Sequence, residues 1–160
     1  MSQTGKSTQI RAADARDIEF ILSLVPRFVS CALPTSHRKR DVLAAIRAEI
    51  ERALHDPRPG EHFFVAEAAG GQRTGFLHLQ VQRDFLSAVR ACHVSDLAVV
   101  EGHDGQGIGH ALLEHARRWA KDHHCKLLTL SVFPGNARAR ALYDHAGFTP
   151  DLLRMAKPLR

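Results

Sequence analysis

The chain has 160 residues, of which 44% are hydrophobic and 24% charged, values close to the averages of globular domains. This length suits one domain, because single cores typically form in chains of ~100–150 residues. The composition excludes a disordered chain, and the longest apolar stretch, residues 20–33, is interrupted by Pro26 and Arg27. It is too short for the ~20 apolar residues that cross a bilayer. We therefore expect no membrane span, a flexible tail over residues 1–9 and one folded domain over residues 10–160.

Charge and cysteine content narrow the functional classes further. The polar N-terminus lacks the hydrophobic segment of a signal peptide, which favours a cytoplasmic location. Cys31, Cys92 and Cys125 are an odd number without metal-ligand spacing, and this argues against a disulfide framework. Eleven histidines occur, but without an HExxH or cysteine-paired pattern, so the sequence predicts no metal site. The net charge of +5 favours anionic ligands, and a polyphosphate cofactor accounts for it as well as nucleic acid does.

The first third of the chain predicts a strand followed by two helices. Residues 8–12 are typical of a short strand, and Asp14 is the predicted N-cap of a helix with apolar side chains at helical spacing up to Val25. A break at Pro34 precedes a second amphipathic helix, which we expect to end within residues 56–60, a segment with two prolines and a glycine.

The remaining sequence predicts strands interleaved with helices. Alternating polarity and turn residues indicate strands, apolar residues at spacings of three and four indicate helices, and Asn136 and Gly147 are predicted helix caps. The predicted elements are a hairpin over residues 63–66 and 76–81, a strand over 91–100, a helix over 108–120, a strand over 127–132, a helix over 136–146 and a last strand over 152–159.

A glycine-rich turn stands directly before the helix at Ile108. Gly105, Gly107 and Gly109 occupy alternate positions, where glycine lets the backbone approach a ligand closely. Free N–H groups and the positive end of the helix dipole would then favour a pyrophosphate. An isolated motif of this kind is equally typical of a turn that only reverses the chain. A Rossmann site needs an acidic residue ~20 residues further on, and residues 126–129 contain none.

Two motifs in sequence order resemble the GNAT superfamily of acetyl-CoA-dependent N-acetyltransferases. The strand Leu97-Ala98-Val99, the loop Gly105-Gln106-Gly107-Ile108-Gly109 and the following Ala111-Leu112-Leu113 are similar to that family's acetyl-CoA-binding block. Residues 136–143, Asn-Ala-Arg-Ala-Arg-Ala-Leu-Tyr, lead into Ala146-Gly147-Phe148 and are similar to its second block. The detailed match covers residues 93–148.

The resemblance implies an α/β fold: a GNAT-like single domain with a mixed central sheet, in the order strand–helix–helix–three strands–helix–strand–helix–strand. Neighbouring strands would splay apart at an acetyl-CoA cleft. Backbone groups of the cleft strand would pair with the pantetheine arm, amides of the loop would surround the pyrophosphate, and an asparagine would contact the cofactor arm. The implied cofactor-binding residues are Leu97, Val99, Gly105, Gln106, Gly107, Ile108, Gly109, His110 and Asn136.

This chain departs from the family pattern at the start of the phosphate loop. The family usually has Arg or Gln there, whereas this sequence has Asp104. A carboxylate does not attract phosphate, so affinity has to come from backbone amides and nearby cations. Arg138 and Arg140 lie one turn from Asn136, but a solvated helix face is their expected environment.

Acetyl transfer to an amine requires two proton transfers. An amine with a pKa of ~10.4 must lose a proton before it attacks, and the departing thiolate is best protonated by a donor. Tyr143, the only tyrosine, falls where the family places its general acid. Ser131 occupies the position of the glutamate base of ribosomal-protein acetyltransferases. His93 lies where histone-acetyltransferase-like members have glutamate and serotonin N-acetyltransferase has histidine, and an imidazole with a pKa near 6.5 accepts protons at physiological pH.

Strand alternation suggests which side chains accompany His93. It places His93, Ser95, Leu97 and Val99 on one side of the strand and Asp96 on the other. His93 and Ser95 would then face the acetyl group, and Asp96 would be a weaker candidate base, as would Glu101 at the strand end. An ordered-water route supported by Ser95 and a backbone carbonyl stays open. His115 is predicted to be a packed residue without a catalytic role.

The predicted function is transfer of an acetyl group from acetyl-CoA to a primary amine, with Tyr143 as acid and His93 or ordered water as base. A non-catalytic acyl-CoA-binding or sensor protein of the same fold is the alternative. Nucleic-acid binding is disfavoured because one tryptophan and one tyrosine give no basic–aromatic alternation. The acceptor is expected to be a small-molecule amine or a peptide or protein amine, walled by residues 26–41 and 82–90. The sequence leaves its identity and the oligomeric state open, a homodimer included.

Overall fold

A computed structural model describes residues 7–159 of the chain. It contains one sheet of five strands in the spatial order β1-β2-β3-β4-β5. The strands are β1 (Gln9–Ala12), β2 (Glu61–Glu67), β3 (Arg73–Arg83), β4 (Arg90–Val99) and β5 (Leu127–Leu130). The first four strands pair antiparallel and β5 pairs parallel to β4, so the sheet is mixed, as predicted. Residues 1–6 of the predicted flexible tail lie outside the described part of the chain.

The described residues contain four α-helices: α1 (Ile18–Ser23) and α2 (Lys39–His55) between β1 and β2, α3 (Ile108–Asp122) between β4 and β5, and α4 (Ala137–His145) after β5. Two predicted caps are confirmed, one at the 3-10 segment Ala15–Asp17 that leads into α1 and one at α4. Asp14 accepts from the Arg16 amide at 2.9 Å at the turn that precedes α1, and Asn136 Oδ1 accepts from the Ala139 amide at 3.2 Å at the start of α4. None of the described helices combines the length and apolarity needed to span a membrane.

The predicted last strand is wrong. Residues 149–159 form no strand, and Leu153, Met155 and Leu159 stay 78%, 83% and 91% exposed. Pro150 and Pro158 bracket this short segment, and proline cannot donate a hydrogen bond to a strand ladder. Alternating apolar residues therefore did not suffice for a sixth strand.

Both faces of the sheet carry a core. The face toward α3 buries side chains of β2, β3, β4 and α3, which are Phe64, Ala66, Leu77, Leu79, Cys92, Val94, Ile108, Leu112, Ala116 and Ala120. The face toward α1 and α2 buries Ile21, Leu24, Val25, Ile50, Val65, Phe76 and Ala98. Because each fully buried aliphatic or aromatic side chain contributes ~1.5–3 kcal/mol, these two layers stabilise the sheet from both faces.

Candidate active site

Strands β4 and β5 part midway along β4. They pair from Ala91 with Leu127 to Val94 with Leu130, and β5 ends there. On its other side β4 continues to pair with β3 as far as Val99. Residues 95–99 therefore present one backbone edge that β5 does not cover. This is the predicted splayed cleft, and it contains Leu97 and Val99.

A β-bulge interrupts β4 at the start of this cleft. His78 of β3 pairs with Asp96, and the next residue, Leu79, pairs with Val94. Ser95 is therefore an extra residue between two paired positions. Such an insertion bends the strand and shifts the alternation of the side chains that follow it by one residue.

The bulge corrects the predicted facing of the site residues. Leu97 and Val99 pack against the core under α3, whereas Ala98 belongs to the core under α1 and α2. Both sequence neighbours of His93 are in the α3 core, so His93 faces α1 and α2. The prediction that His93 shares a face with Leu97 and Val99, opposite to Asp96, is wrong. His93 and Asp96 share the α1–α2 face because Ser95 adds one residue between them.

His93 is held from the neighbouring strand. Its Nδ1 lies 2.9 Å from Thr129 Oγ1 on β5, so the imidazole bonds to a side chain. In the tautomer that carries the proton on Nδ1, the threonine oxygen accepts and the Nε2 lone pair is free. Burial lowers the pKa of His93 from its ordinary 6.5, partly opposed by the nearby Asp96 carboxylate. The ring is therefore neutral at physiological pH and able to accept a proton.

Asp96 is held by a buried histidine that sequence reasoning did not single out. Its carboxylate lies 2.8 Å from Nδ1 of His78, whose side chain is 2% exposed and stacks on Phe63 with ring centroids 4.0 Å apart. His78 Nε2 lies 3.9 Å from the carboxylate of Glu61 and has no hydrogen-bond partner among the described residues. No local motif marks this pair, because it forms across two strands whose register depends on the bulge.

Tyr143 lies in α4 as a half-buried side chain, with Phe148 edge-on at 6.0 Å between ring centroids. Burial raises the pKa of Tyr143 above its ordinary 10, and the negative charge of Asp96 adds to the effect. Its hydroxyl therefore stays protonated at neutral pH, as a proton donor must. Ser131, directly after β5, is exposed.

The glycine loop leaves backbone groups open at the start of α3. Gly107 is the N-cap with a φ of 80°, and Gly105 has a φ of 76°, values that favour glycine. A Cβ at either position would meet no atom within 4 Å, so the space before the loop is free. Ala111 is the first residue whose amide bonds back to Gly107, at 2.9 Å, and the earlier first-turn amides have no helical acceptor. This geometry fits a pyrophosphate.

The other predicted cofactor residues divide into exposed and packed ones. Gln106 and His110 are exposed, whereas the Ile108 side chain is buried in the core, so only its amide can reach a ligand. A Cβ on Gly109 would lie 3.0 Å from Leu142 of α4, so this glycine allows the two helices to approach. Asn136 uses its side-chain oxygen to cap α4, which leaves its NH2 group as a donor.

Asp104, at the start of the loop, forms two ion pairs. Nη2 of Arg27 lies 3.0 Å from both carboxylate oxygens, and Nη1 of Arg138 lies 3.0 Å from Oδ2. Arg27 also donates from Nε to the Val99 carbonyl at 3.2 Å. The expectation of a solvated position fits the 65% exposure of Arg138 but missed its ion pair. Arg140 donates to the carbonyl of Pro134 instead.

A groove of about 620 Å³ lies between β1 and α3 and borders the glycine loop. Gly107, His110 and His115 line it, but none of the predicted catalytic residues does. His115 packs against Phe64, with ring centroids 4.5 Å apart. Within residues 7–159 no cluster of three or more histidine, cysteine, aspartate or glutamate side chains is arranged to hold a metal ion.

A family model described as the acetyltransferase (GNAT) family matches residues 28–148. The chain belongs to the GNAT acetyltransferase family. The match extends the motif-level resemblance upstream to Phe28 and so includes α2, β2 and β3. The fold class predicted from the sequence is confirmed, apart from the missing last strand.

Solved structures of this fold superpose over nearly the whole chain. A putative acetyl transferase from Pyrococcus furiosus has a TM-score of 0.76 and 25% identity, covering 96% of this chain and 100% of that one. An aminoglycoside N-acetyltransferase solved in complex with coenzyme A has a TM-score of 0.72 and 17% identity, covering 100% of this chain and 99% of that one. At that identity the second comparison shows the fold alone.

Curated relatives match over shorter segments. The aminoglycoside N(6')-acetyltransferase type 1 of Stenotrophomonas maltophilia is 28% identical over 88 residues, which are 53% of this chain and 58% of that protein. The chain covers less than two thirds of the length of the curated relatives it matches, from 18% to 58% in three cases.

Proposed function

We propose that this GNAT protein is an N-acetyltransferase that moves an acetyl group from acetyl-CoA directly to a primary amine. The observation that carries the proposal is the position of Asp96 at the bulge, next to the uncovered edge of β4. Its carboxylate is close enough to influence the pKa values of both His93 and Tyr143. The lowered pKa leaves His93 neutral and the raised pKa leaves Tyr143 protonated at neutral pH, which are the states that a base and an acid need before reaction.

Acetyl-CoA is the proposed cosubstrate. Its pantetheine arm would lie along residues 95–99, paired with backbone groups of Leu97 and Val99. Its pyrophosphate would bind the amides of residues 105–110, and Asn136 would contact the arm with its free NH2 group. The free space before the loop and the unpaired first-turn amides of α3 support this placement. The catalytic domain is proposed to extend over residues 10–160.

The proposed chemistry uses one proton acceptor and one proton donor. His93 accepts the proton of the attacking amine, directly or through an ordered water, while the amine nitrogen bonds to the acetyl carbon. As the bond from that carbon to sulfur breaks, Tyr143 donates its hydroxyl proton to the departing thiolate. The Asp96 carboxylate stabilises positive charge on the His93 ring that has taken up the proton.

The acceptor is proposed to be a small-molecule amine. A relative whose name specifies an aminoglycoside supports this class, and peptide amines are the alternative to be compared with it. Residues 26–41 and 82–90 are the proposed walls of the acceptor site.

Thiol release from acetyl-CoA with a panel of amines tests the function. With an acceptor of low pKa, activity should fall as pH decreases through the lowered pKa of His93, below 6.5, because the imidazolium cannot accept a proton. His93→Gln should remove this limb, and Tyr143→Phe should reduce turnover ~10²–10⁴-fold with coenzyme A affinity unchanged. Ser131→Ala is the matched control and should change neither quantity.

Three outcomes would count against parts of the proposal. Coenzyme A binding without thiol release for any amine would favour the acyl-CoA sensor. An acid limb that persists in His93→Gln would assign proton removal to ordered water. Unchanged turnover in Tyr143→Phe, with chemistry shown to be rate-limiting, would make Tyr143 a packing residue.

A further inference from the structure

We infer that Asp104 is a positioning residue of the cofactor site: it holds Arg27 and Arg138 so that their guanidinium groups supply the positive charge for the pyrophosphate of coenzyme A. The inference rests on the proposed binding of acetyl-CoA at the glycine loop. It assigns a role to the one residue of that loop that departs from the family pattern.

The negative charge of Asp104 would by itself disfavour a phosphate at this loop. Asp104 directly precedes the glycines whose amides face the proposed pyrophosphate. A lone carboxylate there would repel a phosphate, since two like charges in a partly buried site interact over several ångströms. The structure shows that the carboxylate is not alone, because two arginines contact it. Two guanidinium groups and one carboxylate give the cluster a net charge of +1.

The contacts orient both arginines from different parts of the chain. Arg27 comes from the 3-10 segment Val25–Val29 that follows α1. Its Nη2 reaches both oxygens of Asp104 at 3.0 Å, and its Nε donates to the Val99 carbonyl at 3.2 Å. Arg27 thereby joins the end of β4, where the cleft edge stops, to the start of the phosphate loop. Charge-assisted bonds of this kind fix geometry as well as adding energy.

Arg138 supplies the exposed half of the cluster. It lies in the first turn of α4, two residues after Asn136, and its side chain is 65% exposed, whereas that of Asp104 is 20% exposed. Asp104 is its one hydrogen-bond or ion-pair partner within residues 7–159. The remaining N–H groups of Arg138 are therefore free to donate to a phosphate, and the planar guanidinium suits phosphate oxygens.

The direction in which one substitution changes coenzyme A affinity distinguishes this role from simple repulsion. If Asp104 only repels phosphate, Asp104→Asn should tighten coenzyme A binding. If Asp104 positions the arginines, the same change should weaken binding roughly 5- to 20-fold, because both guanidinium groups lose their anchor. Asparagine has nearly the same shape as aspartate, so the comparison isolates the charge.

Calorimetric titration of coenzyme A into the full chain tests the inference without measuring activity. Asp104→Asn and Arg138→Gln should each weaken binding. Relative to wild type, the double variant should lose less binding free energy than the sum of the two single losses, since part of the Asp104 effect acts through Arg138. Arg140→Gln is the matched control on the same helix and should bind like the wild type. The loss should persist with 3′-dephospho-coenzyme A and disappear with pantetheine, which lacks the pyrophosphate.

Tighter or unchanged binding of coenzyme A by a folded Asp104→Asn variant would overturn the inference, as would a loss that disappears with 3′-dephospho-coenzyme A. If Asp104→Asn does not fold, as judged by circular dichroism, Arg138→Gln against Arg140→Gln decides: equal affinities would overturn it. A wild-type protein that does not bind coenzyme A would instead refute the proposed function. Wild-type binding with unaffected variants would refute only the role of Asp104.

Discussion

The two faces of β4 differ in chemistry along the same few residues. The face toward α3 is apolar on both sides of the bulge, with Cys92 and Val94 before it and Leu97 and Val99 after it. The opposite face carries the polar groups, His93 before the bulge and Asp96 after it. A regular strand would have brought Asp96 onto the α3 face. The extra residue, Ser95, lets one strand keep a continuous apolar face while two ionisable side chains stay together on the other.

The apolar face of β4 thus stabilises the fold, whereas the opposite face contains the side chains whose pKa values are shifted. The apolar face packs into the core under α3, whereas burial on the opposite face lowers the pKa of His93. The polar face contributes hydrogen bonds that are strong only because they are shielded, such as the 2.8 Å contact of Asp96 with His78. Substitutions on the two faces should therefore differ in how much they change the free energy of unfolding and in how that change depends on pH.

The largest expected effect on stability is on the apolar face. Leu112 is fully buried in α3, and Leu112→Ala should lower the free energy of unfolding by ~2–5 kcal/mol, because it leaves a cavity against β3 and β4. Urea denaturation would measure the loss. Leu128→Ala, at a half-buried position packed on the same core, should cost less. Equal losses for both variants would mean that the α3 core collapses around the cavity, and the stabilising role of this face would need revision.

A smaller effect is expected from the buried carboxylate behind the polar face. The Glu61 side chain is 1% exposed and accepts from Nη1 of Arg52 at 3.1 Å and from the Arg58 amide at 2.6 Å. Glu61→Gln should cost ~1–3 kcal/mol at neutral pH, the usual result of leaving a buried donor poorly paired. Glu51→Gln is the control, since Glu51 is 42% exposed in its 3.0 Å pair with Arg47 and should change stability little.

The Glu61 effect should also depend on pH with a defined sign. Burial alone would raise the pKa of Glu61, but the hydrogen bonds from Arg52 and the Arg58 amide outweigh burial, and the net pKa lies below 4.5. A carboxylate with a depressed pKa stabilises the fold above the unfolded value and loses that contribution as pH falls through the folded value. The difference between wild type and Glu61→Gln should therefore shrink below pH 4.5. A constant difference down to low pH would contradict this account.

The sequence predicted the parts of the site that depend on local backbone chemistry. The glycine loop, the Asn136 cap and the C-terminal Gly147, with a φ of 87°, each follow from residues within one turn of chain. The positions of His93 and Tyr143 came from family motifs, and their roles stay predictions. What local patterns did not reveal was the bulge at Ser95, because its existence depends on the register of β4 against β3.

Long-range pairing accounts for the other differences. Arg27 and Asp104 are 77 residues apart, and no motif joins them. Asp96 was assigned to the wrong face because alternation was carried through the bulge. The predicted last strand had alternating apolar residues, but a strand also needs a partner with a matching register, and residues 149–159 do not pair.

The smallest expected effect on stability comes from the protonation of histidines on the two sides of the sheet. Burial is the main cause that lowers the pKa values of His93, on the polar face, and of His62 and His115, which pack near Trp119 and Phe64 on the α3 side. A buried neutral histidine takes up a proton more readily in the unfolded chain. Stability should therefore fall as pH decreases from 6.5 toward the lowered values, and level off below them.

Urea unfolding between pH 5 and 8 would show this slope, and each histidine contributes less than ~1.4 kcal/mol per pH unit because one imidazole binds at most one proton. His115→Gln and His93→Gln should each flatten the slope, whereas His55→Gln, at an exposed position of α2, should leave it in place. Only His93→Gln should also remove the acid limb of activity, since His115 lies on the opposite face from the cleft groups. A wild-type protein that becomes more stable as pH falls from 6.5 would show that the imidazolium forms are favoured in the fold. An unchanged slope in His93→Gln would contradict the assignment of His93 as a neutral base at physiological pH.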